Sequence, residues 1–182
     1  MKQYFNLKNL VLSALFIALG LVLPFFTGQI REIGKMLLPM HLPIFLCSAF
    51  CGSIYGLIIG IIVPIFRSLL FGMPIMIKAF GMAFELAGYG FFFGLLLKMN
   101  STIKINNLLW TYFSLILSMI LGRIIYAFSQ IFILGIQGSK YTFELFFSGT
   151  ILSGIPGIIL QLIIIPPIIL LLKKYTYTHN NK

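Results

Sequence analysis

Acidic residues are scarce in this chain of 182 residues, which contains no aspartate and only three glutamates. General acid–base catalysis and carboxylate metal sites both depend on such groups. The chain also lacks the HExxH motif of metalloproteases, the GxSxG motif of serine hydrolases and the Walker A loop that binds ATP phosphates. We therefore expect a protein that is not an enzyme, has no metal site, needs no cofactor of its own and does not hydrolyse ATP.

Cysteine is nearly absent as well, since Cys47 and Cys51 are the only two. They are four residues apart and share one face of a helix, with no histidine or acid near them in the sequence. Two thiols without further ligands do not complete a zinc site, and one pair does not make a disulfide scaffold. We interpret both as small buried apolar side chains.

Charged residues make up only 9% of the chain, whereas apolar residues make up 60%. In water, so many phenylalanines, leucines and isoleucines would leave large exposed apolar patches, but in a bilayer they form the lipid-facing surface. The net charge of +10 does not indicate nucleic-acid binding, because most of the 13 basic residues lie at the ends of apolar runs, where they meet lipid headgroups. The sequence predicts an integral membrane protein.

The apolar runs predict an all-α fold with six transmembrane helices in one domain, residues 1–182. The predicted spans are 9–26, 39–54, 55–71, 75–98, 108–134 and 147–172. A bilayer core needs roughly 20 helical residues, so the second and third spans are short. Gly52, Gly56 and Gly60 mark their junction. The two segments are either short helices joined by a tight turn or broken helices enclosed by protein.

The distribution of basic residues predicts which side of the membrane holds the termini. With six spans, both termini and seven lysines share one side, against four basic residues on the other. The positive-inside rule then places both termini in the cytoplasm. The seven are Lys2, Lys8, Lys98, Lys104, Lys173, Lys174 and Lys182, and the four are Arg31, Lys35, Lys78 and Lys140.

Three charges, Arg67, Glu85 and Arg123, interrupt the apolar runs. A charge at the bilayer centre costs roughly 2.5–3.5 kcal/mol, so such residues usually face each other or a polar ligand. With the predicted orientation, all three lie at similar depths in the outer half of the membrane. We expect a polar pocket there that opens to the outside. For Arg67, near a span end, the alternative is a side chain that snorkels to the outer headgroups.

Two predicted helices each carry a mixed polar face. Met82, Glu85 and Tyr89 share one face, and Arg123 and Tyr126 share another with Gln130. A tyrosine that stacks, an arginine that binds anions and a glutamate that accepts from ring N–H groups suit a small heteroaromatic or carboxylated ligand. The alternative is that Glu85 and Arg123 only neutralise each other.

Two further polar residues are candidates for ligand contact. Gln161 follows a helix start interrupted by Gly154, Pro156 and Gly157, and it either contacts a ligand or joins helices through its amide. His41 opens the second span and is either a ligand or pH-sensing group or a satisfied polar helix end.

Several segments give the chain a resemblance to a known family. They are LPMHLP at 38–43, GSIYG at 52–56, the run 64–74 ending in LLFGMP, MAFELAGYG at 82–90 and PGIILQ at 156–161. Together they resemble the substrate-binding S component of energy-coupling factor (ECF) transporters, and the resemblance extends over residues 9–172. The small residues Ala14 and Ala18 in the first span match the Ala-x-x-x-Ala pattern of that family.

The resemblance implies a six-helix subunit that binds a vitamin from outside and docks through Ala14 and Ala18 on a transmembrane coupling protein. Two ATPase subunits would hydrolyse the ATP. Substrate contacts in the family come mainly from the last three helices and the outer loops. Glu85, Tyr89, Arg123, Tyr126 and Gln161 occupy such positions, and we add His41 as a sixth candidate.

The resemblance also limits the substrate and the location. We expect a pantothenate-, pyridoxine- or folate-like vitamin or precursor and a multi-pass protein of a bacterial plasma membrane. The alternative function is a stand-alone, ion-coupled secondary transporter of a small polar metabolite, with Glu85 as its coupling acid.

Overall fold

The computed structural model describes residues 6–27, 36–103, 106–136 and 153–180. These ranges contain six α-helices and no strand: α1 Leu7–Val22, α2 His41–Cys51, α3 Ser53–Phe71, α4 Met76–Ile103, α5 Asn107–Ile136 and α6 Ser153–Asn180. A 3₁₀ helix, Leu23–Thr27, extends α1. All helices except α2 are long and apolar enough to cross a membrane. The protein is therefore an all-α, multi-pass membrane protein.

The second predicted span is shorter than expected. α2 has 11 residues, which at 1.5 Å per residue give about 16 Å, roughly half the thickness of a bilayer core. It ends at Gly52, whose φ of 100° favours glycine, and α3 begins at the next residue. The boundary predicted between residues 54 and 55 is therefore wrong by two residues, because the chain turns at Gly52, a glycine that tolerates this backbone conformation.

The short helix α2 lies inside the bundle, where α1, α3, α4 and α6 pack around it. Ile44, Phe45 and Cys47 of this helix are fully buried in the core. Cys51 is also buried and, like Cys47, carries a free thiol. A helix surrounded by other helices does not need to match the lipid thickness, and its polar ends can be satisfied by protein groups.

Glycines bring α3 and α4 into backbone contact. A Cβ added at Gly56 would lie 2.7 Å from the carbonyl oxygen of Gly90, and one added at Gly60 would lie 2.6 Å from the backbone of Leu86. The Ser48 hydroxyl of α2 donates to the same Gly90 carbonyl. Small residues allow such close approach between membrane helices. We call these contacts, of Gly56 with Gly90 and of Gly60 with the Leu86 backbone, the glycine seam.

At the periphery of the helix bundle, α5 packs against α4 and α6. One stripe of α5 exposes large apolar side chains at helical spacing, which is the pattern of a lipid-facing surface. They are Phe113, Ile116, Ile120, Ile124, Phe128 and Ile131. The opposite stripe faces α4, where Gly88 contacts Ile125 and Gly122 contacts Tyr89. This inward stripe carries the polar residues of the candidate site.

The remaining helices differ from the predicted spans at their ends, since α4 continues to Ile103 instead of residue 98 and α6 to Asn180 instead of residue 172. α1 begins at Leu7 because the Asn6 side chain caps it by accepting from the backbone N–H of Lys8. α6 begins at Ser153 and continues through three prolines. The first part of the predicted sixth span, residues 147–152, lies outside the described residues.

Candidate functional site

Two intramembrane charges meet between α4 and α5. The Arg123 Nε lies 3.3 Å from the Glu85 Oε1. The Tyr89 hydroxyl donates to the same oxygen over 2.6 Å. Glu85 and Tyr89 are one helical turn apart, so both face α5, and Gly122 leaves room for the tyrosine ring. These three residues and His41, which packs on Tyr89, form what we call the central polar cluster.

The charges of Glu85 and Arg123 at the centre of this cluster neutralise each other. Both side chains are largely buried, so their attraction is screened less than at a surface. Such a pair is weak evidence for net stabilisation, because removing two charges from water is costly. Loss of one partner is severe, however, at about 3–5 kcal/mol, because the other charge is left uncompensated.

His41 completes the cluster from the N-terminal end of α2. Its ring lies 5.3 Å from the Tyr89 ring, and Phe45 stacks on the same tyrosine at 5.4 Å. The side chain is only 2% exposed, yet neither ring nitrogen has a hydrogen-bond partner. The missing partners favour the interpretation of His41 as a ligand-binding or pH-sensing group over that of a satisfied polar helix end. A buried polar group without a partner costs about 1–3 kcal/mol, so its retention calls for an explanation.

Gln161 lies on the face of α6 that is turned toward the cluster. This face also carries Gly154 and Gly157, which are seven and four residues earlier. A Cβ at Gly154 would lie 2.8 Å from the Arg123 Nη2, and one at Gly157 would lie 2.6 Å from the carbonyl oxygen of Met36. Gln161 is 1% exposed, and its side-chain nitrogen has no hydrogen-bond partner. It is thus a second buried donor, on the same face of α6 as Gly154 but two helical turns further along the helix.

Tyr126 and Gln130 extend the polar face of α5 beyond Arg123. Both approach Gly81 of α4, where an added Cβ would collide with the Gln130 amide and lie 3.3 Å from the Tyr126 ring. Gln130 is buried, and its side-chain nitrogen has no hydrogen-bond partner. Sequence spacing places Gln130 on this face, but only the structure shows that its amide lies against a glycine and lacks a partner.

Arg67 lies away from the central polar cluster. Its guanidinium donates to the Leu21 carbonyl oxygen at the end of α1. It also packs on the rings of Phe25 and Phe71, with centroids at 4.9 and 5.4 Å. The residue is 3% exposed, and these contacts are with α1, its 3₁₀ extension and α3 rather than with Glu85 or Arg123. The expectation that all three intramembrane charges share one pocket is wrong for Arg67.

The two alanines predicted to dock a partner lie on the outside of the bundle. Ala14 and Ala18 are exposed on α1, whereas Ser13, Phe16 and Gly20 face inward. Ser13 lies 3.5 Å from the Cys47 thiol, and Gly20 packs on Val63. The helix thus turns its small exposed residues away from the central polar cluster, toward lipid or another protein.

The arrangement suits binding rather than catalysis. Five of the six predicted site residues lie in or contact the polar region between α2, α4 and α5. The sixth, Gln161, lies on the face of α6 whose Gly154 approaches Arg123. Phe45, which stacks on Tyr89 of the cluster, was not predicted as a site residue. An aromatic residue within an apolar run cannot be distinguished by its sequence from its neighbours. Within the described ranges, no three histidines, cysteines or acids lie close enough together to hold a metal ion.

Comparison with known proteins gives one match. The profile of the family described as "ECF transporter, substrate-specific component" matches residues 8–169. No curated protein and no solved structure matches the chain significantly. The matched range includes every residue of the central polar cluster, as well as Gln161 and the exposed alanines of α1.

Proposed function

The chain belongs to the family of ECF transporter substrate-specific components, and on that premise we propose that it captures a water-soluble vitamin or precursor for import. Members of this family are transport subunits and not enzymes. The proposed substrate is a pantothenate-, pyridoxine- or folate-like molecule that reaches the site from outside the cell. The proposed location is a bacterial plasma membrane with both termini in the cytoplasm.

The main support for a binding site is that polar side chains in and near the central polar cluster are buried and that some of them lack hydrogen-bond partners. Glu85, Tyr89 and Arg123 are held by each other, whereas His41 and Gln161 have polar atoms without partners. Binding sites for small molecules are largely apolar with a few convergent polar groups, and Phe45 and Tyr89 supply aromatic surface beside them. A ligand that bonds to His41 and Gln161 would remove their desolvation cost.

The exposed face of α1 supports a docking role. Ala14 and Ala18 allow a partner helix to approach closely. We propose that a transmembrane coupling protein binds there, and that two ATPase subunits drive the cycle that releases substrate inside. ATP would be used only by those partners. The cycle requires the two orientations of the protein to differ in substrate affinity.

The test is uptake of labelled pyridoxine and pantothenate into proteoliposomes that contain the chain with or without the coupling protein and ATPases. Uptake that requires both the partners and ATP supports the proposal. Equal uptake without the partners would contradict it. Uptake that an ionophore abolishes and ATP depletion spares would favour the ion-coupled carrier instead.

A variant pair separates docking from substrate binding. Ala14→Trp should block ATP-driven uptake and leave ligand binding to the purified protein intact. The control is Leu19→Trp, a change at another exposed position of α1 that lies about 140° around the helix from Ala14. The control should transport normally. Loss of ligand binding in Ala14→Trp would instead identify Ala14 as a position needed for folding.

A further inference from the structure

Charge in the central polar cluster is already balanced, and this limits the ligand. Arg123 is paired with Glu85 at 3.3 Å, and the Tyr89 hydroxyl bonds to the same carboxylate. Among the described residues of the cluster, one positive and one negative group sum to zero. An anion that approached Arg123 would also approach Glu85, so attraction to one would be offset by repulsion from the other.

The groups that lack a partner are uncharged. Both ring nitrogens of His41 and the side-chain nitrogen of Gln161 have no hydrogen-bond partner, and the same holds for Gln130. A buried imidazole with no acid bonded to it is neutral and offers one donor and one acceptor. The amides add N–H donors. Among the residues that the structure describes, the cluster therefore lacks hydrogen bonds, whereas its two charges balance each other.

From this balance we propose that the site selects a ligand with no net charge, either neutral or zwitterionic. The inference rests on the proposed function and deepens it, because it favours a pyridoxine-like substrate over the anionic pantothenate and folate types. A neutral heteroaromatic or hydroxylated molecule can accept from Gln161, bond to His41 and stack near Tyr89 and Phe45. A zwitterion can in addition place its positive group beside Glu85 and its negative group beside Arg123.

The experiment compares two pairs of ligands that differ by one carboxylate. Pyridoxine is paired with 4-pyridoxate, and panthenol with pantothenate, in calorimetric titrations of the purified full chain at neutral pH. The uncharged member of any pair that binds should be preferred by about tenfold or more, because its anionic counterpart brings an unbalanced charge into a buried site.

Variants of the ion pair test the cause of the preference. Glu85→Gln removes the negative charge and should shift the affinity ratio toward the anionic member by about tenfold. The double variant Glu85→Gln/Arg123→Gln is neutral again and should restore the preference for the uncharged member, even if the single variant folds poorly. Lys8→Gln changes the total charge by one unit at an exposed position of α1 and should leave the ratio unchanged.

The outcomes separate this inference from the proposed function. Tighter binding of the anionic member to the unmodified protein would overturn the inference and leave the vitamin-capture role standing. If no probe binds, native mass spectrometry of the purified protein decides, since a co-purified molecule with no net charge supports the inference and a charged one overturns it. Absence of both probe binding and any co-purified small molecule would overturn the inference and the proposed function together.

Discussion

The face of α4 that packs on α3 carries Gly90 in the glycine seam, whereas the face that packs on α5 carries Glu85 and Tyr89. At the seam, backbone contacts backbone, and the nearby Ser48 hydroxyl is bonded to the Gly90 carbonyl oxygen. At the other face, polar groups are buried and several lack partners. We propose that the seam fixes the helices in place while the opposite face retains unmet hydrogen bonds for a ligand.

The largest effect is expected from breaking the ion pair. Arg123→Gln should destabilise the protein by about 3–5 kcal/mol, because Glu85 is then buried without a counter-charge. The double variant Glu85→Gln/Arg123→Gln should recover most of this loss. Thermal unfolding in detergent measures both. Equal stability of the single variant and the unmodified protein would show that the pair is not buried as described.

An intermediate effect is expected at the glycine seam. Gly90→Ala places a Cβ against the backbone of Gly56 and should cost about 1–3 kcal/mol, since neither backbone can move without separating the helices. The matched control is Gly135→Ala in α5, where an added Cβ has no neighbour within 4 Å. The control should unfold at the normal temperature. A neutral Gly90→Ala would contradict the close packing of α3 and α4.

The sequence predicts some of these features better than others. Glu85 and Arg123 can be recognised because a charge in an apolar run has few tolerable positions other than beside its opposite. Arg67 has the same signal but a different outcome, because the end of α1 supplies the Leu21 carbonyl oxygen and its 3₁₀ extension supplies the Phe25 ring instead. The extent of an irregular segment depends on packing, so hydropathy alone does not reveal that partner.

The length of α2 also cannot be predicted from the hydropathy of the sequence. An apolar run that continues through residues 39–71 does not reveal where a helix ends, and three glycines offered possible junctions. Gly52 is the turn, while Gly56 and Gly60 are needed for contact with α4. Both roles require a residue without a Cβ, and only the three-dimensional arrangement distinguishes them.

The smallest effect on stability, together with a large effect on ligand binding, is expected at Gln161, whose side-chain nitrogen has no hydrogen-bond partner. Gln161→Leu removes a buried N–H donor without a partner, so thermal stability should be unchanged or raised by up to about 1 kcal/mol. Affinity for the ligand should fall by about tenfold. Measuring unfolding and calorimetric titration on the same sample tests both parts. A clear loss of stability would assign Gln161 to helix packing instead.

The most direct test of the binding site is an experimental structure of the full chain with its co-purified or titrated ligand. The account predicts ligand density within hydrogen-bond distance of His41 and Gln161, beside the Glu85–Arg123 pair. Density confined to another part of the protein, such as the surroundings of Arg67, would contradict it.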